Sequence, residues 1–548
     1  QEEFPQIETE AVRITVEYRG ASPEEVEESI CLRVEEAIEG TPNLDRISTI
    51  AVEGACNVTV ELIVGSDVDA ATAEIKNRVD SIDTFPIEAE KPTVSKYEVR
   101  RGVMKIALSG RIDERELKTL DRAAYSGIYL IGKTGLERFY ERELLGRPGA
   151  EYVETNARGR VMRVLDRVPP AAGANLRLHL DARLQEVAYQ ALAGARGAVV
   201  AIDTKTGGVL AMASAPSFDP NPFVTGISTA AYKALVESPD NPLFDRAVRG
   251  QYPPGSTVKP VFGLAALDSG IATPSFGIYD PGFFRLDNST HKYRDWKRGG
   301  HGIVNLYDAI VQSCDVYFYT VGTRMGIDRL HRYATAFGFG APTGVDLPNE
   351  AAGIMPSREW KPGARGLAWY PGDTVNTSIG QGFMTATPLQ LAVATSRIAM
   401  RGEVRAPRLG RTLGLSPVAN PPSAAPIRVA SEHWDEIFRG MRGVVEDRQG
   451  TARSAIAAMG PATYTMAGKT GTAQVVGVKQ NARYDPRRLT KTQLDHALFI
   501  AFAPVESPRI AVGVLVENGE HGSSTAAPVA RRVIDAFMQF YPDGTGHE

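Results

Sequence analysis

Tyr252-Pro-Pro-Gly-Ser-Thr-Val-Lys-Pro260 is the stretch from which the rest of this 548-residue chain can be read. The turn formers Pro253, Pro254 and Gly255 predict a helix start at Ser256, and residues three apart share a helix face. Lys259 is therefore expected beside the Ser256 hydroxyl. A serine hydroxyl is a poor nucleophile until a base takes its proton, and a lysine can act as that base only where burial or nearby cations keep it neutral. Ser256 is the candidate nucleophile and Lys259 the candidate base. Two further motifs follow at separations of 57 and 156 residues, Ser313-Cys-Asp315 and Lys469-Thr-Gly-Thr472. Ser313 suits a proton relay to a leaving nitrogen, and Asp315 suits orientation of substrate and hydrogen bonds. Lys469, Thr470 and Thr472 suit a substrate carboxylate. Gly471, lacking a side chain, lets its strand approach a bound peptide, and backbone N–H groups of Ser256 and Thr472 would form an oxyanion hole.

Around these motifs the pattern is α+β. Ala198-Val-Val-Ala-Ile-Asp203 and Val209-Leu-Ala-Met-Ala-Ser214 flank a Thr-Gly-Gly turn and read as one hairpin. Ala497-Leu-Phe-Ile-Ala-Phe-Ala503 and Ile510-Ala-Val-Gly-Val-Leu-Val516 read as two more strands, followed by a helix from about 528 to 540. An antiparallel sheet with a helical insertion carrying much of the site is expected.

The front of the chain differs in character. Residues 1–100 hold 9 Lys+Arg against 23 Asp+Glu, whereas the whole chain is close to neutral at −4. Alternation over 11–18 predicts a strand, and Ser22-Pro-Glu-Glu25 supplies an N-cap, a proline at the first turn and a capping-box acid. Strands around 45–52 and 56–64 and a second helix to about 82 give most of a split βαβ, ferredoxin-like unit. We divide the chain into 1–110, a connecting segment at 111–174, a main domain at 175–542 and a tail at 543–548. Val103-Met-Lys-Ile-Ala-Leu108 reads as strand-like. Basic residues are scattered and not clustered with aromatics, so nucleic acid is not expected as a partner. No window approaches 18 consecutive apolar residues. Three cysteines, Cys31, Cys56 and Cys314, describe no disulfide framework.

The three motifs in this order match the set of serine acyltransferases that react with penicillin. With Tyr293-Arg-Asp-Trp-Lys297, Gly300-His-Gly302, Met355-Pro-Ser-Arg-Glu-Trp360, Gly380-Gln-Gly382 and Thr385-Ala-Thr-Pro388, residues 111–542 resemble the penicillin-binding protein 2 family of class B transpeptidases. That resemblance implies a serine β-lactamase/transpeptidase-like fold, D,D-transpeptidation of peptidoglycan stem peptides during cell-wall elongation, and acylation by β-lactams. It also implies a membrane glycosyltransferase partner and a bacterial inner membrane location with the catalytic domain in the periplasm, the anchor being absent from these residues. A β-lactamase, a D,D-carboxypeptidase and a non-catalytic fragment stay open as alternatives. Residues 1–110 resemble a porter subdomain of resistance-nodulation-division efflux transporters, through Phe4-Pro-Gln-Ile-Glu-Thr9, Tyr18-Arg-Gly-Ala-Ser-Pro-Glu-Glu-Val-Glu27 and Thr49-Ile-Ala-Val-Glu-Gly54.

Asp280, Asp295, His301 and Cys314 form a second constellation, between the first two motifs and overlapping the second. One thiolate, one imidazole and two carboxylates can fill a four-coordinate structural zinc site and brace the segment that carries Ser313. The chemistry itself needs no cofactor. Trp360, Trp369 and Tyr370 are candidates for lining a cleft or packing in a core.

Overall fold

The computed structural model describes residues 11–96 and 107–542 except for 19–20, 53, 64–65, 83, 87–88, 112–115, 117–118, 121–124, 126–129, 156–160, 288, 420–423 and 478–485. Phe4–Thr9, most of Val103–Leu108 and the tail 543–548 lie outside the described residues. The chain separates into two units, 1–101 and 102–548.

In the first unit β1 (Ala11–Glu17), β2 (Leu44–Val52), β3 (Ala55–Leu62) and β4 (Thr93–Lys96) form an antiparallel sheet of order β2-β3-β1-β4. Ser22 caps the first helix with the predicted box, its hydroxyl accepting from the Glu25 N–H while the Glu25 carboxylate accepts from the Ser22 N–H. Helical residues then run through a π turn at Glu27–Cys31 to Ile38. Val26, Ile30, Val34 and Ile38 are all buried, the four-residue stripe expected of one face packed on a sheet. A second helix, Val68–Asp80, starts at the Asp67 cap. Cys31 on the first helix is disulfide-bonded to Cys56 on β3 across 5.7 Å between Cα atoms. The two lie 25 positions apart, and that spacing gave no sequence signal for the pair. Packing of the helix on β3 brings the two together.

In the second unit β5 (Gly197–Asp203), β6 (Val209–Ala215), β7 (Ala467–Ala473), β8 (His496–Ala503) and β9 (Ile510–Val516) form an antiparallel sheet of order β6-β5-β9-β8-β7. The sheet is buried on both faces, and successive residues serve opposite layers. Val199 and Ala201 share a core with Leu184 of α1 (Ala182–Ala191) and Val533 of α8 (Ala527–Phe540). Ala198, Val200 and Ile202 pack with Leu389, Ala392 and Val393 of α6 (Pro388–Ala399).

Between β6 and β7 the chain builds the helical layer. α2 (Lys259–Asp268) has nine consecutive buried residues from Lys259 to Leu267, so it is a core helix with no solvent face. Around it lie α3 (Leu306–Val311), α4 (Asp315–Met325), α5 (Pro371–Thr377) and α7 (Ser431–Glu446). Asn305 and Asp308 form a capping box on α3. The antiparallel sheet with a helical insertion is thus the architecture found.

The strand Ala107–Arg111 pairs with Leu130–Thr134, and the division into units falls at 101/102, which moves the boundary earlier than residue 110. The connecting segment is more than a tether. Leu136 and Tyr140 enter the core beneath β5 and β6, and the Tyr140 hydroxyl donates to Asp346 Oδ2 at 2.7 Å.

Candidate active site

Ser256 lies in a single 3₁₀ turn, Gly255–Val258, that leads directly into α2. Gly255 has φ +56°, and a Cβ there would stand 2.5 Å from the Thr472 carbonyl oxygen, so a residue with a side chain would force the Ser256 turn off β7. Gly471 acts from the other side. Its missing Cβ would lie 2.7 Å from Thr257 Cγ2, so this glycine seats the strand against the Ser256 turn as well as facing the cleft.

Ser256, Ser313, Asp315, Thr470, Gly471 and Thr472 line one cleft of about 1120 Å³. Lys259 and Lys469 stand behind it, fully buried. Lys259 Nζ donates to Asp315 Oδ1 at 2.6 Å, to the Ser313 carbonyl at 2.8 Å and to Ser313 Oγ at 3.3 Å. Among the described residues no hydrogen bond joins it to the Ser256 hydroxyl. Its direct contacts are therefore the second motif, and the helical spacing places Ser256 at the cleft edge of the same turn.

Asp315 lines the cleft and carries a further task. It is the counter-ion of Lys259, and its other oxygen accepts from the Trp296 N–H at 3.2 Å. Removing one partner of a buried pair leaves the other charge uncompensated. Asp315→Leu is expected to destabilise the protein by about 3–5 kcal/mol in urea unfolding. A loss below about 1 kcal/mol would show that the pair is weaker than its geometry implies.

Ser313 has φ +59°, a left-handed conformation costly for a residue with a Cβ and imposed here by the abrupt step from α3 to α4. That step aims its hydroxyl between the two lysines, with Lys469 Nζ at 2.8 Å. Lys469 also donates to the Thr470 carbonyl at 3.0 Å. Burial, reinforced by the Lys259 charge, pushes the Lys469 ammonium well below the ordinary lysine value. The folded protein then binds fewer protons than the unfolded chain between that lowered value and the ordinary one, so stability rises with pH across the interval. Relative to Lys469→Met, the wild-type chain should gain stability as pH is raised toward 10. Parallel urea midpoints over that range would contradict the shift.

The side chains of Asp280, Asp295 and His301 are fully inaccessible, and Cys314 is buried. One ligand atom from each of the four lies within 4.8 Å of all the others. His301 Nδ1 is 2.7 Å from Asp280 Oδ2 and 3.4 Å from Asp295 Oδ1, and Cys314 Sγ is 3.4 Å from Asp280 Oδ2. Burial, then the Asp315 charge, pushes Asp295 up to about 6. Burial and the Asp295 charge push the Cys314 thiol up as well. Asp295 Oδ2 accepts from the Asp315 and Val316 N–H groups at 2.7 and 3.2 Å, which ties the cluster to the start of α4.

The geometry meets three comparisons. A family model for the penicillin-binding protein transpeptidase domain matches residues 197–535. This chain belongs to that family. A penicillin-binding protein dimerisation domain matches 104–178, and the AcrB/AcrD/AcrF family matches 2–126, in line with the porter resemblance of the front. The peptidoglycan D,D-transpeptidase MrdA of Acinetobacter baumannii is 47% identical over 437 residues, 79% of this chain and 64% of the relative. The chain thus spans just under two thirds of that relative's length. A crystal structure of Pseudomonas aeruginosa PBP2 in complex with WCK 5153 is similar at 46% identity and TM-score 0.72, covering 83% of this chain and 92% of that one. A structure described as the structural coordination of polymerization and crosslinking by a peptidoglycan synthase complex is similar at 28% identity and TM-score 0.68, covering 98% and 89%.

Within this transpeptidase fold some site residues gave no sequence signal of their role. Thr451 Oγ1 lies 2.8 Å from Thr470 Oγ1 and orients it, although a lone Thr in a Gln-Gly-Thr turn says nothing of a site. Trp296 and Arg298 line the cleft. Tyr370 and Trp369 do not. They stand 4.7 and 6.0 Å from Lys361 Nζ, which pairs with Asp373, so these aromatics surround a buried cation. Trp360 packs against Phe383 at 5.5 Å.

Proposed function

We propose that this chain is a serine-type peptidoglycan D,D-transpeptidase that also binds penicillin. The observation that carries the reading is Ser313 Oγ, held between Lys259 and Lys469 behind the cleft edge where Ser256 sits. A proton can pass from Lys259 through Ser313 to Lys469, whose ammonium burial pushes well below the ordinary lysine value. Lys259, freed of that proton, takes the one on Ser256. Ser256 Oγ then bonds to the carbonyl carbon of the terminal D-Ala-D-Ala peptide bond of a stem peptide. The C–N bond breaks, and the leaving D-Ala amine receives its proton through Ser313. An amine from a neighbouring stem next attacks the acyl ester, and Ser256 regains its proton. Thr470 and Thr472 offer hydroxyls, beside the Lys469 charge, to the departing carboxylate. A β-lactam would acylate the same serine.

The β-lactamase alternative needs a base that activates water at the acyl ester. Among the described lining residues the carboxylates are Asp295, Asp315 and Asp495, and each is engaged: with the α4 N-terminus, with Lys259 and with the Val475 N–H. Acyl transfer to an amine is therefore the favoured fate of the ester, and D,D-carboxypeptidation a side reaction. The non-catalytic reading fits poorly with three motifs lining one cleft. Intact-mass analysis after penicillin exposure tests the assignment: one persistent adduct is expected, and rapid turnover with no adduct would favour a β-lactamase.

Asp280, Asp295, His301 and Cys314 suit a structural zinc ion. Two buried carboxylates, a buried thiol and an imidazole face one another there, and His301 Nε2 is buried without a partner, an arrangement that a divalent cation would neutralise. Such an ion would supply no chemistry and would hold Asp295, hence the Asp315 end of α4.

We place the protein at the bacterial inner membrane with this domain in the periplasm, working beside a membrane glycosyltransferase of the elongation machinery. The Cys31–Cys56 disulfide suits an oxidising compartment, and the likeness to a peptidoglycan synthase complex supports the partner. No helix among the described residues is long and apolar enough to cross a membrane.

A further inference from the structure

The segment Gly380-Gln-Gly382 touches both halves of the reaction centre. The Gly255 N–H donates to the Gly380 carbonyl at 2.9 Å, immediately before the nucleophile. The Gln381 N–H donates to the Asn376 carbonyl at 3.0 Å, and the Gly380 N–H to Thr377 at 2.9 Å, so the end of α5 fixes the backbone. Gly380 has φ +71°, and a Cβ there would meet the Gly255 carbonyl oxygen at 2.3 Å. From this anchored backbone the Gln381 side chain reaches across, and its Nε2 donates to the Thr472 carbonyl oxygen at 2.9 Å.

That bond falls on an informative atom. β7 is the edge of its sheet, and in an extended strand the N–H and C=O of one residue point to the same side. The Thr472 carbonyl is engaged by Gln381 and lies against Gly255, so the Thr472 N–H also faces away from β8, toward the Ser256 turn. An N–H there is where an oxyanion formed at Ser256 would be met. The orientation of the Thr472 peptide is thus set by a side chain that lines the cleft and, among the described residues, makes no hydrogen bond to Ser256.

We propose that Gln381 is a positioning residue for the oxyanion hole: its amide pins the Thr472 carbonyl and thereby aims the Thr472 N–H at the tetrahedral intermediate. This rests on the acyl-enzyme reading above and deepens it. Because one N–H serves both the formation and the breakdown of the ester, Gln381 governs both steps and leaves initial binding almost untouched. Glutamate at 381 keeps the shape and replaces the donor with an acceptor facing a carbonyl. Methionine keeps the length and offers neither.

The test is stopped-flow acylation of the 548-residue chain by penicillin G, with hydrolysis of the adduct followed by intact mass. For Gln381→Met and Gln381→Glu, acylation and deacylation rate constants should both fall about ten- to a hundredfold, the scale of losing an aligned oxyanion donor. The dissociation constant of the complex before acylation should move less than about threefold, and melting temperatures of the methionine variant should match wild type. Unchanged rate constants in the methionine variant would overturn the proposal. So would a change confined to the dissociation constant, which would make Gln381 a ligand contact, or faster acylation, which would make it a plug that substrate displaces. Absence of an adduct on the wild-type chain would instead bring down the acyl-enzyme reading, and this proposal with it.

Discussion

Ser256→Ala is expected to abolish covalent labelling by β-lactams, with the acylation rate falling by roughly 10⁶-fold, the scale seen when a serine nucleophile is removed. The melting temperature should hardly move, because Ser256 is half-buried at a cleft edge and its hydroxyl carries no hydrogen bond among the described residues. Loss of labelling together with native stability separates a nucleophile from a structural serine, whose removal would lower stability. Mass spectrometry after penicillin exposure reads the first quantity and calorimetry the second. Labelling that persists in the alanine variant would place the nucleophile elsewhere and remove the basis for the roles given to Lys259, Ser313 and Lys469.

Cys314→Ala is expected to lower zinc content from about one ion per chain to near zero, since a thiolate is a strong ligand in such a set and three remaining donors hold zinc less well. Two buried carboxylates are then left beside a His with no cation, and the stability loss should be at least about 3 kcal/mol. Acylation should slow as well, because Asp295 holds the Asp315 and Val316 N–H groups and Asp315 holds Lys259. Elemental analysis of the purified chain and of the variant decides the matter. Equal zinc in both would remove the site and leave the four side chains as a buried hydrogen-bonded cluster.

Both predictions start from residues that the sequence itself singles out. Ser256 and Lys259 are three apart on one turn, and proline, glycine and helical period fix their relation whatever the rest of the chain does. The capping box at Ser22, the four-residue stripe of the first helix and the two apolar hairpins are legible for the same reason: each depends on neighbours within a few positions. The residues at 280, 295, 301 and 314 were singled out by their donor chemistry, and the fold does bring their ligand atoms within 4.8 Å of one another.

What the chain could not announce are contacts between segments brought together by packing. The pairing of Asp315 with Lys259 spans 56 residues, that of Gln381 with Thr472 spans 91, and Cys31 meets Cys56 only when a helix lies on its sheet. No periodicity encodes such meetings, since they depend on which faces of α2, α4 and β7 are buried against one another. The sequence by itself determined which residues could do the chemistry and on which local turns they sit. Only the tertiary structure decided that Lys259 answers to Asp315, that Ser313 is forced into a left-handed backbone between two lysines, and that a glutamine sets the Thr472 peptide, because those outcomes follow from where the core closes.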